Sequence, residues 1–144
     1  MSEILRRERL EEERLDALHA LTLLDTPPSE SFDRITRMAS QIFNLPISAV
    51  SLTDRDRQWF KSRVGVDHCS IPRDRAPCAQ VAESSDVLVI PDFARDAYYA
   101  DSALGRSGIR FYAGAPLVTR EGYSLGALCV LGTEPRVVLS LIHI

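Results

Sequence analysis

The sequence predicts an α+β domain built on a mostly antiparallel sheet, and three observations carry that reading. Apolar residues recur at helical spacing over two N-terminal segments, then alternate or form short compact runs over five later ones. The resulting order is helix, helix, two strands, helix, strand, long loop, two strands, which is that of an α+β domain with a mostly antiparallel sheet. The length, 144 residues, is that of one domain large enough to bury one real core.

The first helix opens on a charge-dense run, residues 3–16, in which every residue type favours helix. Apolar positions are sparse there and thicken at Leu15, Leu18, Leu21 and Leu24, the pattern of a polar helix that docks only its last turns. Residues 1–24 therefore form an N-terminal signalling or linker helix, closed by Asp25-Thr26-Pro27-Pro28. Ser29 or Ser31 caps a second helix whose Phe32, Ile35, Met38, Ala39, Ile42 and Phe43 make a core-facing stripe, stopped by Asn44 and Pro46. Ile47–Thr53 and Arg57–Val64 form a hairpin around Asp54-Arg55-Asp56, and residues 66–77 read as loop. Cys78–Ser84 is a short helix and residues 87–90 a short strand. Residues 92–109 are a long polar connection, of a length that in a compact domain often serves as lid or pocket wall. Arg110–Val118 and Tyr123–Leu131 are the last strands, turning at Gly122. Gly114 and Gly126 fall inside them, where glycine marks a bulge or a close backbone approach.

Composition removes several classes of function. The net formal charge is −3, without the concentrated basic face that nucleic acid requires. No apolar run approaches the roughly 18 residues of a membrane helix, and the charged start does not read as a signal peptide. Three cysteines without a CxxC pair suit a reduced, cytoplasmic setting. No cysteines and histidines stand at zinc-ligand spacing, and phosphate-binding glycine loops, nucleophile elbows and HExxH are absent, so neither metal nor cofactor is expected. The single lysine, Lys61, narrows cationic chemistry further.

The candidate binding residues are Cys78, Asp92, Asp96, Tyr98, Tyr99, Phe111 and Tyr112. Cys78 opens a helix, where a thiol is activated, although a small buried hydrophobe is the usual role of a free cysteine. Cys129 lies in an apolar strand and reads as core, whereas Cys69 lies in a loop that leaves it free to approach Cys78. The four aromatic residues would line a pocket with apolar surface and orienting hydroxyls, with core packing the competing role. Asp92 and Asp96 would face a polar ligand group or else form turns and cap helices. Trp59 is expected to pack on a helix or a partner, and the Arg-Asp pairs at 55–57 and 73–75 to be weak surface ion pairs.

Segments at 23–28 (Leu-Leu-Asp-Thr-Pro-Pro), 32–36 (Phe-Asp-Arg-Ile-Thr), 56–65 (Asp-Arg-Gln-Trp-Phe-Lys-Ser-Arg-Val-Gly) and 72–74 (Pro-Arg-Asp) follow in a specific order. With Cys78-Ala79, 110–117 (Arg-Phe-Tyr-Ala-Gly-Ala-Pro-Leu), 125–130 (Leu-Gly-Ala-Leu-Cys-Val) and 134–136 (Glu-Pro-Arg), they resemble the GAF domain, a sensory module. The bacterial subgroup found in sensor histidine kinases and diguanylate cyclases is the nearest pattern. The resemblance implies a profilin-like antiparallel sheet of five or six strands over residues 25–136. It also implies terminal helices on one face and a small-molecule pocket under residues 67–109 on the other. Homodimerisation through the terminal helices and a C-terminal output domain follow from the same resemblance.

Rival activities are less well matched. Free methionine sulfoxide reductases of this fold use three pocket cysteines, but the residues flanking Cys69, Cys78 and Cys129 differ. Bilin attachment wants histidine after the cysteine, and Ala79-Gln80 follows Cys78. The motif of cyclic-nucleotide-binding members is missing as well. Residues 137–144, Val-Val-Leu-Ser-Leu-Ile-His-Ile, replace the polar helix that follows in the family and resemble translated adapter read-through, so a non-native or truncated tail is expected there. The sequence thus points to a regulatory domain without catalytic residues of its own, that binds a small molecule or mediates dimerisation. A thiol-based reductase and a purely structural dimerisation module are the alternatives.

Overall fold

The computed structural model describes residues 2–136, so the expectation for residues 137–144 lies outside the described residues. Six antiparallel strands form one sheet. In chain order they are β1 (Ile47–Thr53), β2 (Arg57–Val64), β3 (Ser70–Pro72), β4 (Leu88–Ile90), β5 (Phe111–Val118) and β6 (Ser124–Gly132). Their order across the sheet is β3-β2-β1-β6-β5-β4, with the long strands central and the short ones at both edges. Strand β3 falls in the segment read as loop; its three residues are too few for a periodic signal, and pairing with β2 creates it.

Both faces of the sheet are covered. Helix α1 (Ser2–Ala20) and helix α2 (Glu30–Phe43) lie on one face. Helix α3 (Pro77–Ser84), the short helix α4 (Ala103–Arg106) and a 3₁₀ turn at Phe93–Arg95 lie on the other. Only the last turns of α1 are buried, through Arg14, Leu15 and Leu18, as its charge pattern predicts. Leu18 joins Val50, Leu52, Trp59 and Leu125 in one cluster, so Trp59 packs against the helical layer. Helix α1 ends at Ala20 rather than at Leu24, because the Leu21 and Thr22 amides bond back to Leu18 and His19 and Thr22 takes a positive φ.

The expected stripe of α2 is only partly the buried face. Thr36 and Ala39 are buried, while Ile35, Met38 and Ile42 are about half exposed. Polar contacts set the rotation of this helix. The Ser62 hydroxyl donates to Asp33 at 2.6 Å and shares a 2.8 Å hydrogen bond with the Thr36 hydroxyl, and Ser48 donates to the Thr36 carbonyl. Buried polar groups must be paired, so these bonds turn the Thr36 edge inward and leave the neighbouring apolar edge outside. Ser29 occupies the N-cap of α2 without a side-chain capping bond.

A bulge in β2 makes those contacts possible. Val50 pairs with Ser62 and Ser51 with Phe60, which leaves Lys61 as the extra residue. Lys61 and Ser62 consequently both reach the helical layer. The Lys61 ammonium donates to the Thr26 hydroxyl at 2.7 Å and to the Pro27 carbonyl at 2.8 Å, pinning the α1–α2 connection.

Gly126 in β6 and Gly114 in β5 are both sites of close approach. A Cβ at Gly126 would overlap the Ser51 carbonyl, and one at Gly114 would overlap the Tyr112 phenol. Replacing Gly126 with alanine is expected to lower the unfolding free energy by about 1–3 kcal/mol in urea titration, the range for overpacking. Gly132→Ala, whose Cβ meets only a flexible Leu45 methyl, should cost less; equal losses would show that backbone approach is not the cause.

Candidate functional site

The sheet face under α3 is where side chains leave space. Ala49 of β1 and Cys129 of β6 are small, α3 is only eight residues long, and the 92–109 connection covers the rest. A cavity of about 250 Å3 results. Its inner wall is apolar, from Ala49, Phe60, Ile109 and Leu131, with the Cys78 and Cys129 thiols between them. Gly65, Asp67, His68 and Ser107 are exposed and form the mouth. The volume lies just under the roughly 300–1,000 Å3 of pockets for drug-sized ligands, and suits a smaller, largely apolar molecule.

Strand alternation decides which predicted residues meet there. Cys78 lines the cavity. Tyr112 is fully buried on the same face and its hydroxyl lies 3.0 Å from the Cys78 sulfur, behind the wall. Phe111, one residue earlier on β5, faces the helical layer with Ala39, Leu45 and Val130, so it is not a wall residue of this cavity. Tyr99 is buried against Phe93, and Tyr98 is exposed with the Arg75 guanidinium over its ring. Both tyrosines border a separate polar groove with Arg55, Arg73 and Arg75.

The two aspartates organise the long connection. Asp92 accepts from Arg110 Nε at 2.7 Å and from the Ala94 amide at 3.0 Å, capping the 3₁₀ turn. The hydrogen bond from Arg110 holds its carboxyl below the usual carboxylate range. Asp96 accepts from the amides of Tyr98 and Tyr99. The connection is thus a folded cover, built from Asx turns and the α4 cap at Ser102 rather than an open loop.

Cys78 has Cys129, not Cys69, as its thiol neighbour. The Cys78 and Cys129 sulfurs are 3.8 Å apart, while Cys69 is exposed on the approach to β3. The contact with Cys129, opposed by burial and aided by Tyr112 and Ser51, draws the Cys78 thiol below the ordinary thiol range. The Cys129 thiol is pushed well up by the same contact and by burial, and burial foremost does the same to Tyr112. Among the described residues no group of three or more His, Cys, Asp and Glu side chains could hold a metal ion.

The pairs at 55–57 and 73–75 include one residue that is more than a surface ion pair. Arg73 is largely buried; it donates to Glu11 of α1 at 2.6 Å and to the Asp54 carbonyl at 3.0 Å. Its own carbonyl accepts from the Ala76 amide, which closes a turn leading directly into the cavity-wall residues Ala76, Pro77 and Cys78. Arg75 in that turn has φ +56°, a conformation that costs a non-glycine residue about 1 kcal/mol or more. Neither composition nor periodicity reveals Arg73, because its partners Glu11 and Asp54 are remote in sequence.

Asp92→Asn is expected to speed amide hydrogen exchange across residues 92–110 through loss of the Arg110 pair, while exchange in β1 and β6 stays at its original rate. Unchanged exchange in the connection would mean that the pair does not hold the cover closed.

Comparison with known proteins agrees with this architecture. A family model for the GAF domain matches residues 27–141. A cyclic di-GMP phosphodiesterase of Pseudomonas aeruginosa is 40% identical over 118 residues, which are 81% of this chain and 20% of that protein. The chain therefore spans a fifth of that relative's length. A putative GAF sensor protein from Burkholderia vietnamiensis superposes with a TM-score of 0.64 at 13% identity, covering 95% of this chain and 87% of that one. A free methionine-R-sulfoxide reductase from Neisseria meningitidis, solved in complex with its substrate, gives 0.64 at 17% identity over 90% and 77%. Those two likenesses establish the fold alone. The matched family model, spread over both faces of the six-stranded sheet, shows that this chain belongs to the GAF domain family.

Proposed function

We propose that this domain is a regulatory sensor module in which a small, mostly apolar molecule occupies the cavity beneath α3 and alters the docking of α1. The observation that carries the reading is the continuous path from the cavity wall to α1. The sheet separates cavity from helical layer, and the Arg73 side chain bonds both Glu11 of α1 and the Asp54 carbonyl in the β1–β2 turn. A molecule that displaces Ala76–Cys78 moves the turn that holds Arg73, and Arg73 grips Glu11. Ligand binding then shifts the population of α1 arrangements to the extent that the two arrangements differ in affinity.

The domain itself supplies regulation and not chemistry to its protein in this reading. The name of the Pseudomonas relative favours cyclic di-GMP turnover as the output class, alongside the histidine kinases and diguanylate cyclases of the resembling subgroup. Exposed Ile4, Leu5 and Leu10 on the undocked part of α1 support self-association through that helix. A cytoplasmic location is part of the same proposal.

Native mass spectrometry tests the binding step. The purified domain should carry a non-covalent mass that denaturation releases, and Val66→Trp, which fills the cavity from its rim, should lack it. Identical masses in both proteins would count against the cavity as the binding site. Arg73→Gln should keep that bound mass yet uncouple it from amide exchange in α1.

The link also has a pH signature. Burial alone would raise the Glu11 carboxyl, but hydrogen bonds and charge from Arg14 and Arg73 outweigh it and bring it down to about 2. A carboxyl with a depressed folded-state value stabilises the fold above its unfolded value of 4.5 and loses that contribution as pH falls from 4.5 towards 2. Glu11→Gln should flatten this acid limb in thermal unfolding measured across that range.

A further inference from the structure

We propose that Cys78 and Cys129 form an oxidisable dithiol, with Cys78 the thiolate that attacks a hydroperoxide and Cys129 the thiol that resolves it into an intramolecular disulfide. The inference uses the cavity as an entry route and does not rest on the ligand-sensing reading above.

Three features of the site converge on it. The sulfurs stand 3.8 Å apart, so less than 2 Å of closure reaches the S–S bond length of roughly 2.05 Å. Both line the cavity, whose mouth at Asp67, His68 and Ser107 is exposed, so a small oxidant has access although each cysteine is 3% exposed.

The third feature is the polar contact at Cys78. The Tyr112 hydroxyl lies 3.0 Å from its sulfur, and the Cys129 sulfur stands 3.8 Å from it. Burial keeps the Tyr112 phenol protonated and hence a donor. A phenol donor held against a buried sulfur is an arrangement that stabilises the thiolate. Cys78 is also the second residue of α3, at the end where the helix dipole favours negative charge.

The chemistry balances with the hydroperoxide as sole oxidant. The Cys78 thiolate attacks one peroxide oxygen, the O–O bond breaks, and the alcohol or water leaves with the proton that Cys78 gave up. Cys78 is now a sulfenic acid. The Cys129 sulfur attacks it, the S–S bond forms and the S–O bond breaks, and the departing hydroxide takes the Cys129 proton as water. Two thiols lose two electrons in total, and the peroxide gains them. Cys69 takes no part.

The test is peptide mapping of the folded domain after brief exposure to hydrogen peroxide, without reductant. The expected product is a single Cys78–Cys129 linked peptide pair, lighter by two hydrogens and reversed by dithiothreitol, also in the Cys69→Ser variant. In Cys129→Ser the reaction should stop at the sulfenic acid, trapped on Cys78 by dimedone. Tyr112→Phe, an isosteric change, should slow disulfide formation about tenfold at neutral pH, from one lost hydrogen bond to the thiolate, with a smaller effect at high pH. Disulfides through Cys69, or dimedone labelling confined to Cys69, would overturn the proposal. So would unmodified Cys78 in a protein whose circular dichroism shows it folded.

Discussion

No side chain fits between Gly126 and the Ser51 carbonyl, and that close approach holds the two central strands in register. With Leu52 opposite Gly126, Ala49 falls opposite Cys129, and both point towards α3. A slip of one residue would send Cys129 to the helical layer and Val130 into the cavity, because side chains alternate faces with a period of two. The cavity, the thiol pair and the Gln58–Ser51 hydrogen bond all depend on this register. The same logic divides Phe111 from Tyr112, neighbours in sequence that serve opposite faces.

The two faces are held by different means. On the helical face, polar groups do the orienting: the bulge at Lys61 turns two successive residues of β2 towards the helices, and Asp33, Thr36 and Thr26 receive them. Apolar burial supplies the driving force but has little directional preference, which is why α2 can present Thr36 inward and leave Met38 outside. On the cavity face, short elements lie over small strand residues. Gly114 there makes room for the Tyr112 ring, which carries the phenol to Cys78. Space for a guest is thus a consequence of residue size at a few strand positions rather than of a separate pocket-forming motif.

Charge then joins the faces. Arg73, read from sequence as one half of a surface pair, is instead a largely buried connection between α1 and the turn that opens the cavity wall. Glu11 also pairs with Arg14, whose guanidinium reaches the Ser124 carbonyl of β6. The docked end of α1 is therefore tied both to the sheet and to the cavity rim, while its first turns carry no such ties among the described residues and are exposed.

The residues alone determined the order of α1 to α3 and of five of the six strands, the antiparallel class, the docking of only the last turns of α1 and the family, since each follows from local periodicity, capping chemistry or short ordered motifs. They also marked Gly114 and Gly126 as places of close approach, because glycine inside a strand has few other uses. Strand β3, the rotation of α2 and the folding of residues 92–109 were not legible, for each is set by partners distant in the chain. The site shows the same division. Cys78 could be singled out from its place at a helix start, but its pairing with Cys129, fifty-one residues away, exists only once the β1–β6 register and the seat of α3 are set. Periodicity says which face a side chain can take; only the packed sheet decides what it meets there.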